Sequence, residues 1–166
     1  MRIRPTRAYL ELMGLAMWEF ANYEREVVHI VTTLEAAPPL QPGFLQEYSG
    51  RKPVTAGVVA RRLKAAIETY DGSPSGKTLV ACLASFEALT KKRNSLMHAQ
   101  PQMELDGSMK LHYYGSPARR RGTEVVKAEV PYTIWEYEDI TGFVREVNVA
   151  ILAAKEPLGR LRSNAD

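Results

Sequence analysis

With 166 residues, the chain is long enough to bury a real core and short enough to be read as a single domain. A hydrophobic fraction of 45% and a charged fraction of 25% are ordinary for a globular protein, and a single cysteine rules out an internal disulfide framework. The net charge of +3, from 22 basic and 19 acidic residues, does not by itself mark a nucleic-acid binder, so the placement of the basic residues matters more than their sum.

The opening segment "MRIRPTRAYLELMG" has no apolar core of signal-peptide type before its first acid. No apolar run approaches the ~18 residues needed to span a membrane. A cytoplasmic protein without a membrane partner is expected. The first helix is predicted over about 7–34. Its apolar positions Ala16, Phe20, Tyr23, Val27, Ile30 and Leu34 step by 4, 3, 4, 3, 4, a helical seam of near-heptad spacing. So regular a seam raises the expectation of a dimer interface. Glu24 on this helix reads as a solvated charge or as an acid that reaches a site. "AAPPLQPG" breaks the helix, because proline lacks an N–H and restricts its predecessor.

A second helix is predicted over about 55–70, with Val58, Val59, Leu63, Ala66 and Ile67 inward and Arg61, Arg62 and Lys64 outward. A third is predicted over about 77–97, on a stripe of Leu79, Leu83, Phe86 and Leu89. Cys82 within it reads as a small buried hydrophobe. After Pro101 the period changes to two. "MELDGSMKLHYYG" alternates around Asp106-Gly107, a hairpin signal, and "TEVVKAEVPY" offers a third strand joined through a loop, "SPARRRG". The β insertion is predicted over about 101–132. A last helix is predicted over about 133–155, opened by a Thr133/Glu136 capping box, lined by Ile140, Val144, Val147, Ile151 and Ala154, and frayed beyond. The fold class is mainly α: a four-helix bundle with a small antiparallel hairpin or three-stranded insertion between its third and fourth helices, in one domain spanning 1–166.

The stretch "TKKRNSLMHAQP" holds the candidate site. Arg93 lies seven residues after Phe86, within about 20° of it around the helix, so it continues the apolar stripe while Lys91 and Lys92 do not. Asn94 and His98, four apart, share a neighbouring face. Arg93 and His98 point about 140° apart on an ideal helix. They converge only if the helix ends before His98, if the arginine wraps, or if both meet something outside the helix. A histidine can move a proton near neutral pH, and an arginine offers a fixed fork to phosphate. That pair suits metal-independent RNA cleavage in which a 2′-hydroxyl attacks the adjacent phosphate. The competing reading is structural: an arginine can snorkel its head to water, and basic residues suit the last turn of a helix. His29, His98 and His112 lack metal-ligand spacing, so neither a metal nor another cofactor is expected.

Arg93-Asn94-Ser95-Leu96-Met97-His98 resembles the R-x4-6-H motif of the HEPN superfamily, in which the arginine is typically followed by a polar residue, often asparagine. The late position of the motif in a third helix, followed by a short insertion and a closing helix, is similar to small bacterial members with an "RN…H" motif. The resemblance covers most of the chain as architecture and six residues as a motif. It implies a homodimer with two motifs across a two-fold axis and an RNA-cleaving activity, as in toxin or phage-defence members. In that family Arg93 and His98 would be catalytic and Asn94 supporting. It also implies the alternative of a non-catalytic dimeric scaffold, a nucleotide- or RNA-binding module, or a subunit paired with an antitoxin. Arg119, Arg120 and Arg121 in the expected loop, with Lys91 and Lys92, are further candidates for RNA phosphates, and Tyr113 and Tyr114 for base stacking. Trp18 and Trp135 read as core or interface residues.

Overall fold

The protein is represented by a computed structural model, which describes residues 4–35, 44, 48–50, 54–70, 76–115, 119–121, 124–126 and 132–163. Four helices follow the expected order: α1 (Arg7–Glu35), α2 (Ala56–Thr69), α3 (Gly76–Met97) and α4 (Tyr137–Ser163). Between α3 and α4 lie β1 (Gln100–Met103), β2 (Met109–Tyr113), β3 (Arg119–Arg121), β4 (Glu124–Val126) and β5 (Thr133–Trp135). The mainly helical fold with a small antiparallel sheet between its third and fourth helices is the one the sequence predicts. The chain divides into two compact units, Met1–Met17 with Lys91–Val144, and Trp18–Thr90 with Arg145–Asp166.

The second unit is helical. The predicted seam of α1 is buried from Ala16 through Phe20, Tyr23, Val27 and Ile30, within the chain's own core. It is therefore not an open face awaiting a second copy. The exposed apolar residues of α1 are others: Leu10, Leu15 and Trp18, the last 68% exposed. Phe20 stacks on Phe86 of α3 at 6.0 Å, and Tyr23 meets the Phe86 ring edge-on at 5.6 Å. The Tyr23 hydroxyl donates to the Cys82 carbonyl at 3.4 Å. Cys82 is buried, as expected, and burial pushes its thiol above the usual range. Arg62 of α2 grips Glu35 with both prongs, Nε to Oε1 at 3.0 Å and Nη2 to Oε2 at 3.2 Å, and lies over the Phe44 ring. Glu24 is buried rather than solvated, and its Oε1 accepts from the Tyr48 hydroxyl at 3.0 Å. A cleft of about 260 Å³ lies between α3 and α4, lined by Ala81, Ser85, Ala150, Ala153 and Ala154, with Tyr23 and Cys82 among its walls.

Helix α4 departs from its predicted limits at both ends. Thr133 does not cap it; Thr133–Trp135 is a strand, and the helix starts at Tyr137. The β-branched and aromatic run Thr133-Ile134-Trp135 suits a pleated surface better than a helix start. The cap is shifted by three residues: the Asp139 carboxylate reaches back to the Glu136 N–H at 2.9 Å, the position a capping box gives its acid. At the far end the helix does not fray after 155. It runs through Pro157 to Ser163, because Leu158 and Leu161 continue the buried stripe of Val147, Ala150 and Ala154.

The first unit carries the sheet, ordered β1-β2-β5 and antiparallel throughout. Asp106-Gly107 forms the predicted hairpin. Its loop is closed by Gly107 N–H to Glu104 O at 3.0 Å and Glu104 N–H to Ser108 O at 2.9 Å. Gly107, at φ +83°, takes the left-handed conformation that closes this three-residue loop and that side chains disfavour. The third strand is not "TEVVKAEVPY". Glu124–Val126 pairs instead with Arg119–Arg121 in a separate hairpin, so those arginines lie on a strand and not in a loop, and Thr133–Trp135 completes the sheet. Leu111, Tyr113 and Trp135 share the buried face, with Trp135 edge-on to Phe143 at 6.0 Å.

Candidate functional site

The last turn of α3 sorts its side chains as helical phase requires. Lys91 and Lys92 are exposed, Arg93 is half-buried, Asn94 is exposed, and Ser95 and Leu96 are buried. Leu96 replaces Arg93 as the inward residue one turn on, so the arginine sits at the margin between core and solvent. The helix ends at Met97, immediately before His98. His98 still donates its N–H to Asn94 O at 3.2 Å, and Ala99 donates to Leu96 O at 3.2 Å, so the final turn tightens as it closes. His98 thus keeps its helical direction and is exposed beside Asn94. Within one chain, Arg93 and His98 remain on different sides of the helix.

Ser95 has a definite structural task. Its hydroxyl donates to Lys92 O at 2.8 Å and accepts from Trp135 Nε1 at 3.1 Å. One buried oxygen therefore ties the motif-bearing turn to strand β5. The indole N–H, which must find an acceptor when buried, finds it there. Trp135 is accordingly a core residue, as the sequence suggests. Tyr9 adds a second tie within this unit, its hydroxyl donating to Met109 O at 3.0 Å and its ring meeting Tyr137 edge-on at 5.5 Å.

The remaining sequence candidates are dispersed. Arg119, Arg120 and Arg121 form β3, and their side chains lie outside the described residues. Tyr113 faces the core, whereas Tyr114 is exposed. Among the described residues, no group of three or more His, Cys, Asp or Glu comes together to hold a metal ion. Nor, among them, is any helix long and apolar enough to cross a membrane.

Sequence reasoning missed a second polar cluster, on the outer face of the sheet. His112 Nε2 lies 2.8 Å from Glu104 Oε1, and His112 Nδ1 lies 2.5 Å from the Tyr132 hydroxyl. The alternation Lys110, His112, Tyr114 places these three on one face, and that much is readable from a period of two. The partner Tyr132 follows from the pairing of β2 with β5, which no local pattern announces.

Comparison with known proteins returns no matching family model, no matching curated protein and no matching solved structure.

Proposed function

We propose that the protein is a metal-independent endoribonuclease of HEPN type, acting as a homodimer. The observation that supports this reading is the arrangement at the end of α3: Asn94 and His98 open to solvent, Arg93 at the core margin, and the helix stopped between Arg93 and His98. Because Arg93 and His98 point to different sides of their own helix, two copies of the turn facing each other would be needed to gather both groups around one phosphate. In such a site His98 takes the proton of the 2′-hydroxyl as its oxygen attacks phosphorus. Arg93 offsets the charge gathering on the phosphate oxygens, and the 5′-oxygen leaves as a hydroxyl with a proton from the second copy's His98. Asn94 orients the imidazole or the phosphate. Lys91 and Lys92, both exposed, would hold flanking phosphates. Arg119–Arg121 are further candidates for the same task by sequence. A toxin or phage-defence role, with an antitoxin as a second partner, belongs to the same proposal.

A second reading, a dimeric scaffold or a nucleotide- or RNA-binding module, draws on Ser95. The hydrogen bond it accepts from Trp135 ties this turn to strand β5 of the sheet. One experiment separates the two readings. Purified protein is incubated with structured and single-stranded RNA in EDTA, alongside Arg93→Ala and His98→Ala. The enzyme reading expects cleavage by the wild type, and a loss of at least about 10²-fold in each variant. His98 is exposed, so its variant should keep its stability within about 0.5 kcal/mol. RNA binding without cleavage favours the module. Cleavage that persists equally in both variants removes the motif from the mechanism.

A further inference from the structure

The outer face of the β1–β2–β5 sheet holds a hydrogen-bonded chain of three titratable side chains. His112 stands on this face, yet only 6% of it is exposed. Tyr114 covers it from one side, rings 6.3 Å apart and near parallel, and Tyr132 from another at 5.9 Å. The Gln102 side-chain amide bonds the Tyr114 hydroxyl and so anchors that cover. Both imidazole nitrogens are engaged, by Glu104 at 2.8 Å and Tyr132 at 2.5 Å.

With the imidazole in its neutral form, the chemistry of the partners sets the direction of the chain. A carboxylate only accepts, so the Glu104 side takes the Nε2 proton. Nδ1 of the neutral ring is then left with its lone pair, and it accepts from the Tyr132 hydroxyl. The order is carboxylate, imidazole, hydroxyl: an orienting group, a base, and a potential nucleophile within hydrogen-bond reach. The chain ends in solvent, because Tyr132 is 50% exposed while the histidine beneath it is sealed. Among the described residues, the charged neighbours on this face are Glu104, Lys110 and Glu136, and Lys110 is paired with Glu136 at 2.6 Å. Two carboxylates and one paired lysine among these described groups favour an uncharged electrophile over an anionic one.

We propose that Glu104, His112 and Tyr132 form a second reactive site, in which the Tyr132 oxygen is the nucleophile toward uncharged acyl groups such as activated esters. The phenol oxygen attacks the ester carbonyl while its proton passes to His112 Nδ1. The resulting imidazolium is stabilised by the Glu104 carboxylate. The carbon–oxygen bond to the leaving alcohol then breaks, the alcohol takes the proton from His112, and an acyl-tyrosine remains. Water, deprotonated by the same nitrogen, returns the free phenol and the carboxylic acid. Tyr132 and His112 touch the reacting atoms, whereas Glu104 is a positioning residue. This proposal is independent of the RNA reading and uses none of Arg93, Asn94 or His98.

The test uses p-nitrophenyl acetate as the probe and reads acetylation by peptide mapping. Tyr114 is the internal control, since it is 58% exposed on the same face and makes no hydrogen bond to the imidazole among the described residues. Tyr132 should be acetylated on the order of 10²-fold faster than Tyr114 in the wild-type protein. Equal labelling of the two tyrosines overturns the proposal without any variant. His112→Gln should bring Tyr132 down to the Tyr114 rate, and Glu104→Gln should lower it by a smaller factor, while lysine acetylation stays unchanged in both. Tyr132 labelling undiminished in folded His112→Gln also overturns it.

Discussion

In the helical unit, the described polar side chains that enter the interior sit within an aromatic and aliphatic core: the Tyr23 hydroxyl donates to the Cys82 carbonyl, and the Glu24 carboxylate accepts from the Tyr48 hydroxyl. Around them Phe20, Tyr23 and Phe86 supply contact area and little chemistry. In the sheet-bearing unit, described buried polar groups join into chains of three. Lys92 O, Ser95 and Trp135 form one, and Glu104, His112 and Tyr132 another. A single satisfied polar group stabilises a core locally. A chain couples distant segments and can pass a proton, at the cost of failing as a whole when one member is removed. The difference teaches where to look for function: the motif Arg93-Asn94-His98 and the relay both lie in the unit built on chains.

The largest expected effect tests the helical half of this contrast. Phe86→Ala removes the ring shared by Phe20 and Tyr23 and should cost about 3–5 kcal/mol, seen as a lower urea midpoint. A loss below about 1 kcal/mol would mean that the aromatic trio is not the centre of that unit. Ser95→Ala comes next. It leaves the buried Trp135 N–H without its acceptor and should cost about 1–3 kcal/mol. Because Ser95 is a link in a chain, amide exchange at Asn94–His98 should also rise. A purely local loss would mean that Ser95 does not act as a link between segments.

The smallest effect concerns the hairpin. The Ser108 hydroxyl and N–H hold the exposed Asp106 carboxyl below the usual range. A carboxyl lowered on folding adds stability above its unfolded pKa of about 3.9, and that stability is lost as pH falls through the folded value. The difference in Tm between wild type and Asp106→Asn should therefore be present at neutral pH and shrink below about pH 4. A difference that grows with acid would reverse the sign of the argument.

Much of this architecture is legible in the residues. Period 3.6 gives α1, α2 and α3 nearly to the residue, and it separates Arg93 from Lys91 and Lys92. Asp106-Gly107 gives the hairpin. The failures have physical causes. Thr133 and Glu136 match a capping box by spacing, but pairing with β2 takes Thr133 into a strand, a non-local preference that spacing cannot register. Leu158 and Leu161 carry α4 past a proline that local rules read as an end. Glu24 looks solvated until Tyr48, 24 residues away, supplies its donor. The relay is the clearest case, since Glu104, His112 and Tyr132 come from three separate segments of the chain and only strand order brings them together.

Pro157 gives α4 a property of another kind. With no N–H of its own, it cannot supply the helical donor to the Ala153 carbonyl, on the residue that lines the cleft. In the turn beyond it, the side chains of Leu158 and Leu161 are buried. In terms of local opening, the ladder there is one rung short. The end of α4 is therefore expected to open at lower free energy than the helix before it, which faster amide exchange beyond Pro157 would show.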